Sequence, residues 1–429
     1  MKKKKFYITT TVARTLFFFS GQPRLWKEQF DVCVIAAEKE KLVAFSEQEG
    51  ISYKYMPMHR EISLLSDIAC LFRFIWLFIM DRPYIVHGNT PKASMLSMVA
   101  AWFTRCPVRI YMCHGLRYQT AQGKLRKVLM AMEGLSCSCA TEVISVSEGV
   151  RKQLVADGLC PEKKGKVVGY GTAGGVDVSW FSREAITSMS SVRTELGIKE
   201  SSFVFCFVGR VVKDKGVNEL VSAFDKLAQE YADVHLLVVG PAEQELDPIS
   251  QRSEALMAGN HRIHVVGRQN DVRPYLAASD AFVLPSYREG VGMVLLEANA
   301  MDVPCIATDI IGCNDVVVPG VNGELVEPRN EAVLYEKMKE WVEHPEEVKR
   351  MAGRCRKFAL SHYSHTDVTK AYAKEYSRLG KISDPVKFQW RKVHGVLGGL
   401  LSQNDTRRTL NGGGKYIVLH RHSVELLAA

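Results

Sequence analysis

Short apolar runs of strand length alternate with helical segments along most of this chain, and the alternation happens twice. In the first half such runs cover residues 6–14, 31–36, 84–87, 108–113 and 142–147, and in the second half 203–208, 235–239, 263–266, 281–284 and 304–307. Between them lie segments with helical periodicity, clearest over 217–231 and returning at 333–342 and 365–379. Parallel strands need crossovers long enough to be helices, so this order predicts an α/β fold of doubly wound parallel sheets. The two series are parted by residues 169–177, too glycine-rich for either element, and 429 residues exceed one typical core. We expect two Rossmann-like domains facing a central cleft, residues 1–177 and 178–380, and a poorly ordered tail over 381–429, whose Gly412-Gly413-Gly414-Lys415 lacks the first glycine of a phosphate loop.

The net charge of +9 is unevenly spread. Residues 1–175 hold 25 basic against 14 acidic side chains, residues 176–380 hold 23 against 30, and the tail 8 against 3. A basic first half suits an anionic partner, and without a base-stacking signature that partner is a membrane surface rather than nucleic acid. The plain alternative is a solvated basic face. The most hydrophobic segment, residues 64–80, is too short to span a bilayer comfortably and is interrupted by Asp67 and Arg73. It reads first as a helix buried on a sheet, second as a helix lying in a membrane interface. Eleven scattered cysteines behind no secretory signal point to a reducing compartment, and Cys137 and Cys139 lack a second pair or a His cluster for zinc.

The chemistry concentrates in residues 280–297. A strand ends at Pro285, a helix begins at Gly292, and the turn between them is set to hold an anion. Glu289 and Glu297 frame that turn. A carboxylate repels phosphate but accepts from hydroxyls, so a ligand meeting all three features is a diphosphate flanked by polyols, a nucleotide sugar. An ordinary turn residue and an ordinary helix residue would have the same spacing. No Gly-x-Gly-x-x-Gly follows the first strand, which argues against a nicotinamide dinucleotide fold. His114 and Lys92 sit on loops at the carboxyl ends of strands, where open α/β sheets keep ligands.

Taken in order, several motifs resemble the family 4 glycosyltransferases, retaining enzymes of the GT-B fold. They are Val208-Gly209-Arg210 with Asp214-Lys215-Gly216, Pro285 to Gly292 through Glu297, and Gly320 to Gly323. The first half adds Thr90 to Ala93, Tyr111 to Leu116 and Ser145 to Glu148. The likeness spans about residues 6–379 and is greatest to bacterial transferases of polysaccharide and glycan-lipid assembly that use polyprenyl-diphosphate-linked acceptors. It implies that Arg210 and Lys215 bind the donor diphosphate and that Glu297 reads ribose. It also implies that Glu289 holds sugar hydroxyls at the anomeric centre and that Gly290, Val291, Gly292 and Met293 offer amides. Gly21 and Gly267 would face the donor, and His114 would support charge on the sugar ring through its carbonyl or its side chain. Lys92 and Arg117 would meet the acceptor.

The same resemblance implies a UDP-linked hexose or N-acetylhexosamine as donor, no metal or other cofactor, and a site peripheral to the inner face of the cytoplasmic membrane. Two rival readings keep the fold: a nucleotide-sugar 2-epimerase, and a soluble glucosyltransferase of the glycogen or sucrose type. A binding or scaffold protein without activity is a third.

Overall fold

The computed structural model describes residues 3–61, 63–186, 191–243 and 247–380; the tail from 381 lies outside the described residues. The first sheet is built from β1 (Lys4–Thr9), β2 (Phe30–Ala36), β3 (Ser52–Tyr55), β4 (Ile85–Gly88), β5 (Val108–Cys113), β6 (Glu142–Ser145) and β7 (Gly165–Val167). The second contains β8 (Phe203–Val208), β9 (Val234–Val239), β10 (Ile263–Gly267), β11 (Ala281–Leu284), β12 (Cys305–Thr308) and β13 (Gly323–Val326). Spatial order is β3-β2-β1-β4-β5-β6-β7 and β10-β9-β8-β11-β12-β13, every pair parallel. Both sheets are doubly wound about their first strand. The crevice each offers lies at the carboxyl ends of β1 and β4 and of β8 and β11, where the winding reverses.

The central strands are continuous apolar runs because helices cover both faces. Thus β8, Phe-Val-Phe-Cys-Phe-Val, is buried from Val204 onward, and β11 is buried throughout. Several bounds differ from those read in the sequence. The first strand ends at Thr9 and a 3-10 segment, Ala13–Phe19, follows, since Thr10 and Thr15 hydroxyls bond each other and turn the chain. The short helix is Pro23–Trp26, and Phe30 already belongs to β2. β6 is followed by one more strand, β7.

The helix Leu64–Asp81 requires a larger correction. Asp67, Cys70, Phe74 and Phe78, spaced three and four apart, face the domain, while Leu64, Leu65, Ile68, Phe72, Trp76, Ile79 and Met80 are exposed, Leu65 to 86% and Trp76 to 66%. It packs beside Pro91–Phe103, which in turn packs beside Gly123–Cys139. Those two helices add exposed Trp102, Phe103, Leu125 and Val128, with Lys124, Arg126 and Lys127 among them. The first reading, a helix buried on a sheet, is corrected: one side of the helix is covered and the other is exposed. Among the described residues no helix is long and apolar enough to cross a membrane.

The chain crosses between the sheets twice. The outward crossing at Val176 is bridged to the return at Ser364, with Val176 N donating to Tyr363 O at 2.8 Å and His365 N donating to Val176 O at 2.8 Å. After the return, the helix His365–Leu379 docks on the first domain. Tyr376 packs edge-on against Phe6 and Trp26, and the Tyr372 hydroxyl donates to Thr172 O at 2.8 Å.

Candidate active site

Two loops of the second sheet, one after β8 and one after β11, build the core of the site. The strands themselves touch only at Ala281 opposite Phe205 and Phe282 opposite Cys206, so their carboxyl ends diverge and leave room between them. Into that room turns the segment Lys213–Lys215, closed by Gly216 at φ +69°. A Cβ on Gly216 would stand 2.0 Å from the Pro285 carbonyl oxygen, so only glycine lets the two loops meet. Tyr287 N donates to Asp214 O at 2.9 Å across the same junction.

This closeness brings the sequence-predicted residues together. Lys215 Nζ donates to Glu289 Oε1 at 2.6 Å, with both side chains largely buried. Arg210 Nη1 donates to Glu243 Oε2 at 3.0 Å, while its Nε is buried without a hydrogen-bond partner. Among the described residues the amides of Val291, Gly292 and Met293 donate to no acceptor; they open the helix Met293–Ala300, and Gly292 at φ +54° turns the chain into it. One turn farther along, Glu297 is 7% exposed and its carboxylate accepts no hydrogen bond from the described residues. Burial pushes its carboxyl up to about 8. An orphan guanidinium N–H, a lysine, three free amides and a proton-holding acid within two adjoining loops suit an anion flanked by hydroxyls.

The first domain closes the site from the other side. A Cβ on Gly290 would lie 1.9 Å from the His114 carbonyl oxygen, and one on Gly115 would lie 3.2 Å from Gly290 Cα. The carbonyl of His114 therefore points at the turn that carries Glu289. The His114 ring stacks on Phe18 with centroids 5.6 Å apart, and its Nε2 lies 3.2 Å from Asn89 Oδ1. Burial lowers the His114 imidazole to about 4, and burial followed by the charge of His114 lowers His87 to about 3. Both rings are neutral at physiological pH, and Asn89 fixes His114 with its proton on Nε2.

Other expected ligands stand elsewhere. Lys92 is a correction: it is buried, its Nζ pairs with Asp67 Oδ1 at 2.8 Å and also donates to the Glu61 carbonyl. Asp67 interrupts an apolar helix and needs a cation, which is what claims this lysine. Gly21 adopts φ +83°, but its amide donates to Glu49 Oε1 at 2.8 Å and its open side faces His365. It shapes the interdomain packing instead of presenting a free amide. Gly267 ends β10 with its carbonyl accepting from Gly240 N, beside a cavity of about 520 Å³ that reaches Thr11, Arg14 and Arg60 of the first domain and Glu243 and Arg268 of the second. Arg117 is exposed on the turn Arg117–Gln119. Sequence reading passed over Arg288, whose Nε donates to Thr120 Oγ1 at 3.3 Å across the domain boundary, and Asp214, 3.8 Å from the same guanidinium. Their place beside Glu289 and Lys215 in the motifs was the available signal.

Comparison with known proteins identifies the family. Residues 189–358 match the model for glycosyl transferases group 1, and residues 24–171 the model for the glycosyl transferase 4-like domain. The chain is 32% identical over 343 residues to the capsular polysaccharide biosynthesis glycosyltransferase CapM of Staphylococcus aureus, covering 80% of this chain and 88% of that protein. It is 27% identical over 303 residues to the UDP-Gal:α-D-GlcNAc-diphosphoundecaprenol α-1,3-galactosyltransferase of Escherichia coli, covering 70% and 77%. The solved structure of Anabaena HepE with UDP and glucose superposes with a TM-score of 0.72 at 19% identity, covering 87% of this chain and all of that one, a likeness of GT-B fold. The chain belongs to the group 1 glycosyltransferases, with the paired α/β domains of the GT-B fold.

Proposed function

We propose that the protein is a retaining transferase that moves a hexose or N-acetylhexosamine from a UDP-sugar to a polyprenyl-diphosphate-linked glycan during cell-surface polysaccharide assembly. The observation that carries this reading is the meeting of Lys215 and Glu289 at the turn whose amides are unspent. Bound there, the donor's diphosphate takes charge from Lys215 and Arg210 and hydrogen bonds from Val291 to Met293, while Glu289 turns toward the sugar hydroxyls and Glu297 toward the ribose. The cleavage leaves electrons on a phosphate oxygen, and preorganised cations in a dry cleft stabilise that charge more than water does. The His114 carbonyl, aimed at the same turn, faces the positive charge that grows on the sugar ring.

In this reading retention follows a front-face course, which needs no carboxylate pair across the anomeric carbon. The acceptor hydroxyl attacks from the side the phosphate leaves, the new C–O bond forms as the old one breaks, and the departing oxygen takes the hydroxyl proton. Positioning and charge do the work, and the protein's cations serve where a metal otherwise would.

The three-helix face with Trp76, Trp102, Phe103 and their basic neighbours supports docking on an anionic bilayer, which is where a prenyl-linked acceptor is found. The test is thermal stabilisation by a panel of nucleotide sugars, because a ligand held only by the folded state raises its stability by mass action. UDP-hexosamines are expected to give the largest shift; a flat response to all nucleotides overturns the reading. Incubation with a UDP-sugar alone, which yields an epimer only from an epimerase, tests the rival chemistry.

A further inference from the structure

The turn that carries Glu289 is held from behind as well as from the front. Gly312, in the loop after β12, backs onto it. A Cβ there would stand 2.9 Å from the carbonyl carbon of Glu289 and 2.8 Å from that of Gly290, and its φ of +89° is one that glycine takes without strain. The Gly312 amide donates to Asp315 Oδ2 at 3.0 Å. The other oxygen of the same carboxylate faces the first domain, where Oδ1 accepts from Gly149 N at 2.9 Å. One side chain thus ties the wall behind Glu289 to the opposite domain.

Gly149 is the second residue of the helix Glu148–Ala156, whose opening amides have no partners within it. Ser147 Oγ takes the amide of Val150, and Asp315 reaches across the boundary to take that of Gly149, where the helix dipole favours an anion. The fit is close. A Cβ on Gly149 would lie 2.7 Å from Asp315 Oδ2 and 3.1 Å from Ile311 Cγ2, and Ile311 itself packs against a hydrophobic cluster of the first domain. The backbone of Asp315 has a third tie: its carbonyl accepts from the Tyr363 hydroxyl at 3.0 Å, and the Tyr363 carbonyl accepts from Val176 N at the interdomain crossing. Asp315 therefore stands between the crossing and the turn. The first domain grips that turn twice, through the His114 carbonyl in front and through Asp315 and Gly312 behind.

We propose that Asp315 is a positioning residue for sugar transfer, which joins the first domain through Gly149 to the Glu289–Gly290 turn through Gly312. The inference rests on the reading of Glu289 given above, and it adds a residue that touches no substrate. With the domains apart, Asp315 Oδ1 loses Gly149 and Gly312 is held by the second domain alone. The turn then takes its transfer geometry only in the closed protein.

The test compares the full-length wild type with Asp315→Asn, Asp315→Ala and Gly149→Ala. Asparagine keeps one acceptor oxygen, so it holds Gly312 or Gly149 but not both, and alanine holds neither. Gly149→Ala acts from the opposite domain by driving a methyl group into the Asp315 carboxylate, while alanine favours the helix and so keeps the fold. Each protein is measured for UDP release from UDP-N-acetylglucosamine in the presence of a polyprenyl-diphosphate-linked N-acetylglucosamine, for UDP affinity by calorimetry, and for melting temperature. Expected is kcat lower by about 10²-fold in Asp315→Ala and Gly149→Ala and by about tenfold in Asp315→Asn, with UDP affinity within about twofold of wild type. Asp315→Ala combined with Gly149→Ala is expected to lose no more than either alone. Hydrogen exchange gives a reading free of chemistry: in the ligand-free Asp315→Ala and Gly149→Ala proteins, peptides over residues 286–293 should exchange faster than in the wild type. Unchanged kcat in Asp315→Ala, additive losses in the combined variant, or unchanged exchange over 286–293 overturns the proposal. So does a fall in UDP affinity that matches the fall in kcat, which would make Asp315 part of the donor site. A wild type that binds no UDP fails the earlier reading, and the exchange measurement then decides this one.

Discussion

Lys215 and Glu289 form a 2.6 Å ion pair that joins the loop after β8 to the loop after β11. Neither strand pairs with the other at that level, so the ion pair and the Gly216 contact with Pro285 together set how far apart the two loops stand. Lys215→Ala removes a cation from the diphosphate and leaves Glu289 unpaired. The expected result is UDP affinity lower by roughly ten- to hundredfold, read by calorimetry. Glu289→Gln keeps the volume and loses the charge; its expected signature is kcat lower by about 10²–10³ with UDP affinity little changed.

Gly290 allows the two domains to meet backbone to backbone. Alanine there must push against the His114 carbonyl, 1.9 Å from the added methyl carbon, and overpacking of this kind costs about 1–3 kcal/mol. Part of that cost is avoided if the cleft opens. Gly290→Ala is therefore expected to fold with a modestly lower melting temperature and to lose nearly all transfer while still binding UDP. Full transfer activity would contradict closure through this contact.

Glu297 gives a pH dependence whose sign is fixed. The unfolded chain ionises this carboxyl near its ordinary value, whereas burial keeps the native one protonated up to about 8. Between those values the native state holds the extra proton, so stability falls as pH rises, by up to about 1.4 kcal/mol per unit. Glu297→Gln removes this slope, which melting curves from pH 5 to pH 9 resolve. Ribose hydroxyls favour the charged carboxylate. Binding of UDP at neutral pH is thus expected to release protons in the wild type and not in Glu297→Gln, measured by calorimetry in buffers of different ionisation enthalpy.

The outward face of Leu64–Asp81 makes a prediction that leaves the donor site untouched. Burying an aromatic side chain in a membrane interface contributes about 1.5–3 kcal/mol, so Phe72→Glu with Trp76→Glu is expected to abolish cosedimentation with phosphatidylglycerol vesicles. UDP affinity should remain that of the wild type. Retained vesicle binding would remove this face from the membrane reading.

Much of the framework was legible because it depends on local pattern. Parallel strands buried on both faces are unbroken apolar runs, and β8, β9 and β11 appear in the sequence within a residue or two of their bounds. The strand-turn-helix at 280–297 was equally plain, and Lys215 meets Glu289 as two strands flanking one crevice require. What stayed hidden depends on partners distant in the chain. Lys92 reads as a free cation until Asp67 is found 2.8 Å away; losing it strands a buried acid, so Lys92→Ala is now expected to cost about 3–5 kcal/mol of stability. The helices Gly123–Cys139 and Pro345–Tyr363 were missed although both carry a helical stripe: the second buries Val348, Met351, Cys355, Ala359 and Tyr363, three and four apart, but charged residues outnumber these along the segment, and the stripe of the first includes Glu133, Ser136 and two cysteines that do not read as apolar core. Composition located the apolar segment at 64–80, but it could not tell that only one side of it is covered.

The two crossings at Val176 and at Ser364–His365 lie one hydrogen bond apart, in effect a hinge pin. Gly290, far along the chain from it, abuts the His114 carbonyl at the cleft itself. Clamping the crossing with a disulfide is therefore expected to slow substrate entry and transfer together.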